Sequence, residues 1–255
     1  MDIRGGKQAS GPMPIDLSII AAALVPLGLD ERAISFDGNF PNLTELRLDL
    51  TGARFHCEMR LPDAAACSDP AFFSRMVKAN AIPAYFESLP FTLSLLAEDA
   101  VFSSTPALIR SGNGTLVLSA TSADIESTLL NFVRSAAEKQ GAEAESVQLS
   151  LTAEGPRAMA VRATATAKAM FFTATLTLTG RIEITDALEA RLCALACSGD
   201  GMIANLAAGA LRPKLALFEG RAFALRALLP TLNALNLDTT NGLKLSAIFG
   251  DSMTV

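Results

Sequence analysis

Between residues 44 and 61 apolar and polar side chains take turns. Leu46, Leu48 and Leu50 share one parity, and Glu45, Arg47 and Asp49 share the other. Phe55, Cys57, Met59 and Leu61 then alternate with His56, Glu58 and Arg60. Successive side chains of a strand point to opposite faces, so this period of two predicts strands with one wet face. The pattern returns in the second half of the chain. Val147, Leu149 and Leu151 alternate before Gly155-Pro156, and Met159, Val161, Ala163, Ala165 and Ala167 alternate after it. Phe172, Ala174, Leu176 and Leu178 then face away from Thr173, Thr175, Thr177 and Thr179. Ile182 and Ile184 carry the run past Gly180, and residues 188–197 return. Strands are also predicted over 91–102, 116–120 and 243–247, with Asn113-Gly114 reading as a hairpin turn.

Helical spacing is rarer. Asp16 is placed to cap a helix over 17–25, which Pro26 and Gly28 end. Residues 63–90 predict short helices at 64–66, 70–78 and 81–88, interrupted at Pro83 and Pro90. Thr121-Ser122-Ala123-Asp124 has capping-box spacing. Ile125, Leu129, Phe132, Val133 and Ala136 then recur at helical spacing until Gly141. A very apolar helix is predicted over 201–211, with Pro213 to kink or end it. The expected fold class is therefore α+β, a long curved antiparallel β-sheet packed against long apolar helices. Residues 1–14 read as a loose tail, 15–120 as an N-terminal α+β unit, and 121–255 as a second unit.

Composition narrows the function. Half of the 255 residues are hydrophobic and 18% are charged, with no Trp and one Tyr; the mean hydropathy is +0.35. A net charge of −5 and the absence of any Lys/Arg run argue against a nucleic-acid partner. The longest uncharged apolar stretch near the start, Leu17 to Leu29, is shorter than the roughly 20 residues a membrane span needs. Asp2 and Asp16 offset Arg4 and Lys7, so the first 30 residues read as a packed helix rather than as an export signal. That points to a cytoplasmic or peripheral-membrane protein, or to an exported one with an atypical start.

Candidate chemistry is sparse. The sole histidine, His56, lies on the polar side of its strand, so Ser-His-Asp and Cys-His schemes have one weak candidate between them. Cys57, Cys67, Cys193 and Cys197 offer a single close pair without histidine partners, which is not a zinc pattern. Gly250-Asp251-Ser252 sits at the wrong end of the chain for a hydrolase nucleophile, and no histidine follows it. Gly112-Asn113-Gly114 lacks the Gly-Lys-Ser/Thr of a phosphate loop. Asp124 and Glu126 read as helix-start residues favoured by the dipole. The expectation is a protein that is not an enzyme, with neither cofactor nor metal.

What remains is apolar. Residues 158–184 carry few charges and place small side chains (Ala163, Ala165, Ala167, Ala174) beside large ones (Phe171, Phe172, Leu176, Leu178). A core sheet under helices would have this composition. So would a sheet that leaves room for a ligand, since a strand of 11 residues spans about 36 Å.

The order over 121–249 resembles the LmeA-like family of bacterial phospholipid-binding proteins, within the tubular lipid-binding (TULIP-like) group. The resemblance rests on a helix opening Thr-Ser-Ala-Asp-Ile-Glu-Ser-Thr-Leu-Leu (121–130). Val-Gln-Leu-Ser-Leu from Val147 and Met-Ala-Val-Arg-Ala-Thr-Ala from Met159 follow. Ala-Thr-Leu-Thr-Leu-Thr-Gly-Arg-Ile-Glu-Ile begins at Ala174, an apolar helix covers 199–211, and Asn-Gly-Leu-Lys-Leu-Ser-Ala begins at Asn241. The chain departs from the family in its start, in the turn near Lys168-Ala169, and in residues 1–120, where a second unit of the same type would fit. The resemblance implies a TULIP-like fold and binding of a phospholipid or other elongated apolar ligand between sheet and helix, without catalysis; a membrane surface is a further expected partner. The lining it implies comes from three places. These are Ile125, Leu129 and Phe132; Phe172, Ala174, Leu176 and Leu178; and Ile203, Leu206, Ala207 and Leu211. The alternative is a structural or protein-interaction domain in which the same faces are fully packed.

Overall fold

A computed structural model describes residues 18–56, 69–103, 108–138, 141–169, 172–224 and 232–251. The first half opens with α1 (Ser18–Leu24), β1 (Ile34–Asn39), β2 (Asn42–Asp49) and β3 (Arg54–Phe55). It continues with β4 (Pro70–Phe86), β5 (Leu89–Ser103), β6 (Leu108–Arg110) and β7 (Asn113–Thr121). Then come α2 (Ser122–Glu138), β8 (Glu143–Ala153), β9 (Ala158–Ala169), β10 (Phe172–Ile184) and β11 (Glu189–Asp200). The chain closes with α3 (Met202–Ala216), β12 (Ala222–Ala224), β13 (Leu232–Asp238) and β14 (Gly242–Phe249).

The expected α+β class with long apolar helices, and with it the TULIP-like fold, is overturned. Strands hold 61% of the described residues and helices 21%. The longest helix, α2, has 17 residues and buries none of them. The largest single correction is at 70–86, where short helices were expected and β4 is a strand of 17 residues. Pro83 is accommodated at a break in register between Ala81 and Ala84, the kind of position where a strand tolerates a missing N–H. Residues 57–68, read as the end of a strand and the start of a helix, lie outside the described residues. Asn113-Gly114 is not a hairpin turn. Both residues begin β7; Asn113 pairs with β5, and Gly114 pairs with β5 and β14. Pro213 does not end α3, which runs on to Ala216.

Two sheets result. The first runs β1-β2-β4-β5-β7-β14-β13, with β3 on β4 and β6 on β5. Its pairs are antiparallel except β2 with β4 and β3 with β4. The second, β12-β11-β10-β9-β8, is antiparallel throughout. The ladder from Gly242 opposite Thr121 to Phe249 opposite Gly114 ties the last strands to the first sheet, across the boundary expected at 120/121. The second sheet is thus an excursion from the first.

The main core lies on the first sheet. Leu43, Leu46, Val77, Ala79, Leu235 and Phe249 are buried there, and α1 adds Ile20 and Leu24. From the second sheet Met159, Ile184 and Leu188 join this core, with Val161 and Ile182 packed against it. The Leu237 N–H donates to the Pro156 carbonyl at 2.8 Å and pins the turn between β8 and β9 to β13. One end of the second sheet is therefore anchored, and the other projects beyond the main core.

Candidate functional site

Directly opposed residues of neighbouring strands point to the same face, so the registers assemble the projecting end row by row. Leu149, Ala163, Leu178 and Cys197 stand side by side across β8, β9, β10 and β11. The next row is Val147, Ala165, Leu176 and Gly199, and beyond it come Ala144, Ala167 and Ala174. The opposite face carries Gln148, Thr164, Thr177 and Ser198, then Thr166 and Thr175. The alternation read from the sequence is thus realised as one apolar and one hydroxyl-lined face.

Helices cover the two flanks of the apolar face unequally. Helix α3 packs on β11, where Ala204 and Ala208 are buried. Gly199 makes this seat close, because a Cβ there would lie 2.2 Å from the backbone carbon and oxygen of Ala204. The Arg212 Nε–H donates to the Cys197 carbonyl at 3.3 Å. Helix α2 lies along β8, the edge strand. Its start is fixed as the sequence predicts, since the Asp124 N–H donates to Thr121 Oγ1 (3.1 Å) and the Thr121 hydroxyl donates to Asp124 Oδ2 (2.6 Å). Glu126 then accepts the Leu149 N–H at 2.7 Å and closes that part of the free edge. Between the flanks, Ala163, Ala165 and Leu176 are half-buried and Leu178 is 38% exposed.

Beside this strip is a cleft of about 410 Å³ between β11 and the end of α3. Leu195, Cys197 and Leu215 line it, with Arg212 and Glu219. It exists because β11 bulges. Ala194 has φ +53, in the left-handed region that side chains disfavour. The freed N–H groups of Ala194 and Leu195 both donate to the Glu219 carboxylate, each at 2.8 Å. Burial pushes the Cys197 thiol above its ordinary value of 9.0, against the pull of Arg212, so the thiol stays protonated and unreactive. Cys193 and Cys197 are free thiols.

The structure divides the expected lining. Ala174, Leu176 and Leu178 lie on the strip, and Ile125 and Leu129 are half-buried on α2. Phe132 is 73% exposed, Leu206 is 71% exposed and Leu211 is exposed, so none of these is enclosed with the strip. Ala207 is half-buried. The side chains of Phe172 and Ile203 lie outside the described residues. The expected inward burial of Leu178 is not found. Glu219 and Arg212 were missed, because a turn glutamate that captures a bulge two elements away has no local signal.

Elsewhere the acids of a second cleft already have partners. This cleft, of about 330 Å³, is lined by Phe91, Asp124, Asp238 and Lys244 among others. Its Asp124 is engaged by Thr121 and its Asp238 by Thr240. His56 Nδ1 lies 3.3 Å from Glu87 Oε2 at an exposed position. Among the described residues no three His, Cys, Asp or Glu come together as metal ligands, and no helix is long and apolar enough to cross a membrane. No family model, curated protein or solved structure matches the chain.

Proposed function

We propose that the projecting end of the second sheet binds a phospholipid or other elongated apolar ligand, by contact alone and without catalysis. The observation that carries this is the pair of apolar rows through Ala163, Ala165, Leu176 and Leu178, covered at the flanks and open in the middle. The open middle is two strands wide by four residues long, about 10 by 13 Å. Covering about 130 Å² there, and as much of an acyl chain, is worth roughly 6 kcal/mol before association costs. Those costs run to about 4–15 kcal/mol, so the strip alone binds weakly. The adjoining cleft extends the contact, and its Arg212 can meet an anionic headgroup.

The test is mass spectrometry of an organic extract of the purified chain, together with uptake of a fluorescent fatty acid by wild type and Ala165→Phe. The expected result is uptake by the wild type that the substitution lowers while the melting temperature stays unchanged. An empty extract with no uptake overturns the reading. Loss of stability in Ala165→Phe, with no uptake by the wild type, replaces it with the packed interaction domain.

A further inference from the structure

Helix α3 is apolar on both sides. Its inner side is small, with Ala204 and Ala208 seated on the sheet. Its outer side carries Met202, Leu206, Gly209, Ala210 and Pro213 at the i, i+4, i+7, i+8, i+11 spacing of one face, and all of them are exposed. Leu217 continues this stripe into the following turn and is exposed as well. A helix face this apolar is normally enclosed, yet Met202 is 79% exposed. From Met202 to Leu217 the stripe is about 22 Å long.

The charges around the stripe select its partner. Residues 202–224 contain three basic residues and a single acid, Glu219, in a chain whose net charge is −5; Arg212 donates to the Cys197 carbonyl on β11, and Arg221 is exposed in the turn after α3. Both carboxylate oxygens of Glu219 are taken by the N–H groups of Ala194 and Leu195. The Arg221 guanidinium lies 5.1 Å over the ring of Phe218, so a cation and an exposed aromatic are presented together. The nearest acid before the helix is Asp200, at the end of β11.

We propose that this outer stripe docks α3 on the surface of a bilayer bearing anionic headgroups. Apolar side chains enter the acyl boundary while Arg221, exposed in the turn after α3, meets the headgroups, the arrangement of helices that lie in a membrane interface. α3 lies on that surface rather than spanning it, since it is too short to cross. The inference goes beyond the ligand reading, because the stripe is on the side of α3 away from the strip and requires no bound ligand.

The experiment is co-sedimentation of the full chain with vesicles of phosphatidylcholine alone and of phosphatidylcholine mixed with phosphatidylglycerol. Wild type is expected on the mixed vesicles, and high salt should release it. Leu206→Glu, at an exposed position, keeps the circular dichroism spectrum and weakens binding about tenfold, the loss of one inserted leucine. Arg221→Glu weakens it too. Fatty-acid uptake measured without vesicles is unchanged in Leu206→Glu, which separates this proposal from the ligand reading. Absence of wild-type binding to the mixed vesicles overturns it, as does equal binding by Leu206→Glu. A wild-type dimer that Leu206→Glu dissolves, with no vesicle binding, makes the stripe an interface between copies and overturns it as well.

Discussion

Gly199→Ala tests how closely α3 is seated. A Cβ at this position would lie 2.2 Å from the carbonyl carbon and oxygen of Ala204 and 2.6 Å from the Asn205 nitrogen, where ordinary contact begins near 3.4 Å. The first turn of α3 must therefore retreat by about 1 Å, the shortfall from normal van der Waals separation. The obstructing atoms are backbone and cannot swing aside as a side chain would. Retreat lifts Ala204 and Ala208, both buried, off β11. Overpacking costs about 1–3 kcal/mol, and an immovable partner places this case in the upper half. At about 2–4 °C per kcal/mol for a chain of this size, the melting temperature falls by about 4–12 °C. Gly209→Ala is the control. It lies in the same helix with nothing within 4 Å of its added methyl group, and gains about 0.5–1 kcal/mol from helix propensity. Thermal unfolding followed by far-ultraviolet circular dichroism should move the two variants in opposite directions. A Gly199→Ala protein that melts with the wild type or above it would refute the close seat.

Two further predictions concern the cores and pH. Leu46 is 1% exposed in the main core, so Leu46→Asp unfolds the protein, whereas Leu178→Asp keeps the fold and loses fatty-acid uptake. Equal melting temperatures for the two variants would show that the two sheets do not differ in burial as described. The Thr51 hydroxyl and N–H hold the Asp49 carboxyl below its ordinary value of 3.8. A lowered folded value stabilises the protein above the unfolded one, and that stability is lost as pH falls through the folded value. Asp49→Asn should therefore melt below wild type at neutral pH, and the two curves should converge in acid below about 3.8, the unfolded aspartate value; a gap that persists or widens there contradicts this.

The sequence was legible where structure is local. The capping box at Thr121 and Asp124 formed as spaced, and the alternation of 147–178 sorted leucines from threonines onto the two faces of one sheet. β4 was misread for a physical reason. Burial changes parity between Ser74 and Val77, so Phe72, Phe73, Met76 and Val77 fall at i, i+1, i+4 and i+5 and imitate a helix. The glycine of Asn113-Gly114 answers to a residue 135 positions later. A Cβ at Gly114 would lie 2.2 Å from the Phe249 ring, a constraint that no window around residue 114 contains. Alternation likewise assigned Leu178 a face, but what covers that face depends on where α3 lands. α3 lands on β11, and the middle of the sheet is left open.

That division has a consequence for how the second sheet holds its shape. Its anchored end contributes Met159, Ile184 and Leu188 to the main core, so the strands are held without help from the far rows. On this face the far rows take only alanines from β9, Ala163, Ala165 and Ala167, which have little apolar surface of their own to hide. Small residues thus lower the cost of leaving the strip in water and leave a shallow surface that bulkier side chains would fill. A sheet of leucines on both β9 and β10 would have to be capped by a helix to remain soluble. Alternating one leucine-bearing strand with one alanine-rich strand lets the face stay uncapped while keeping the apolar area that the proposed acyl-chain contact requires. Local burial also contributes to local stability, so the rows around Leu178 are held less firmly than Leu46 and its neighbours in the main core.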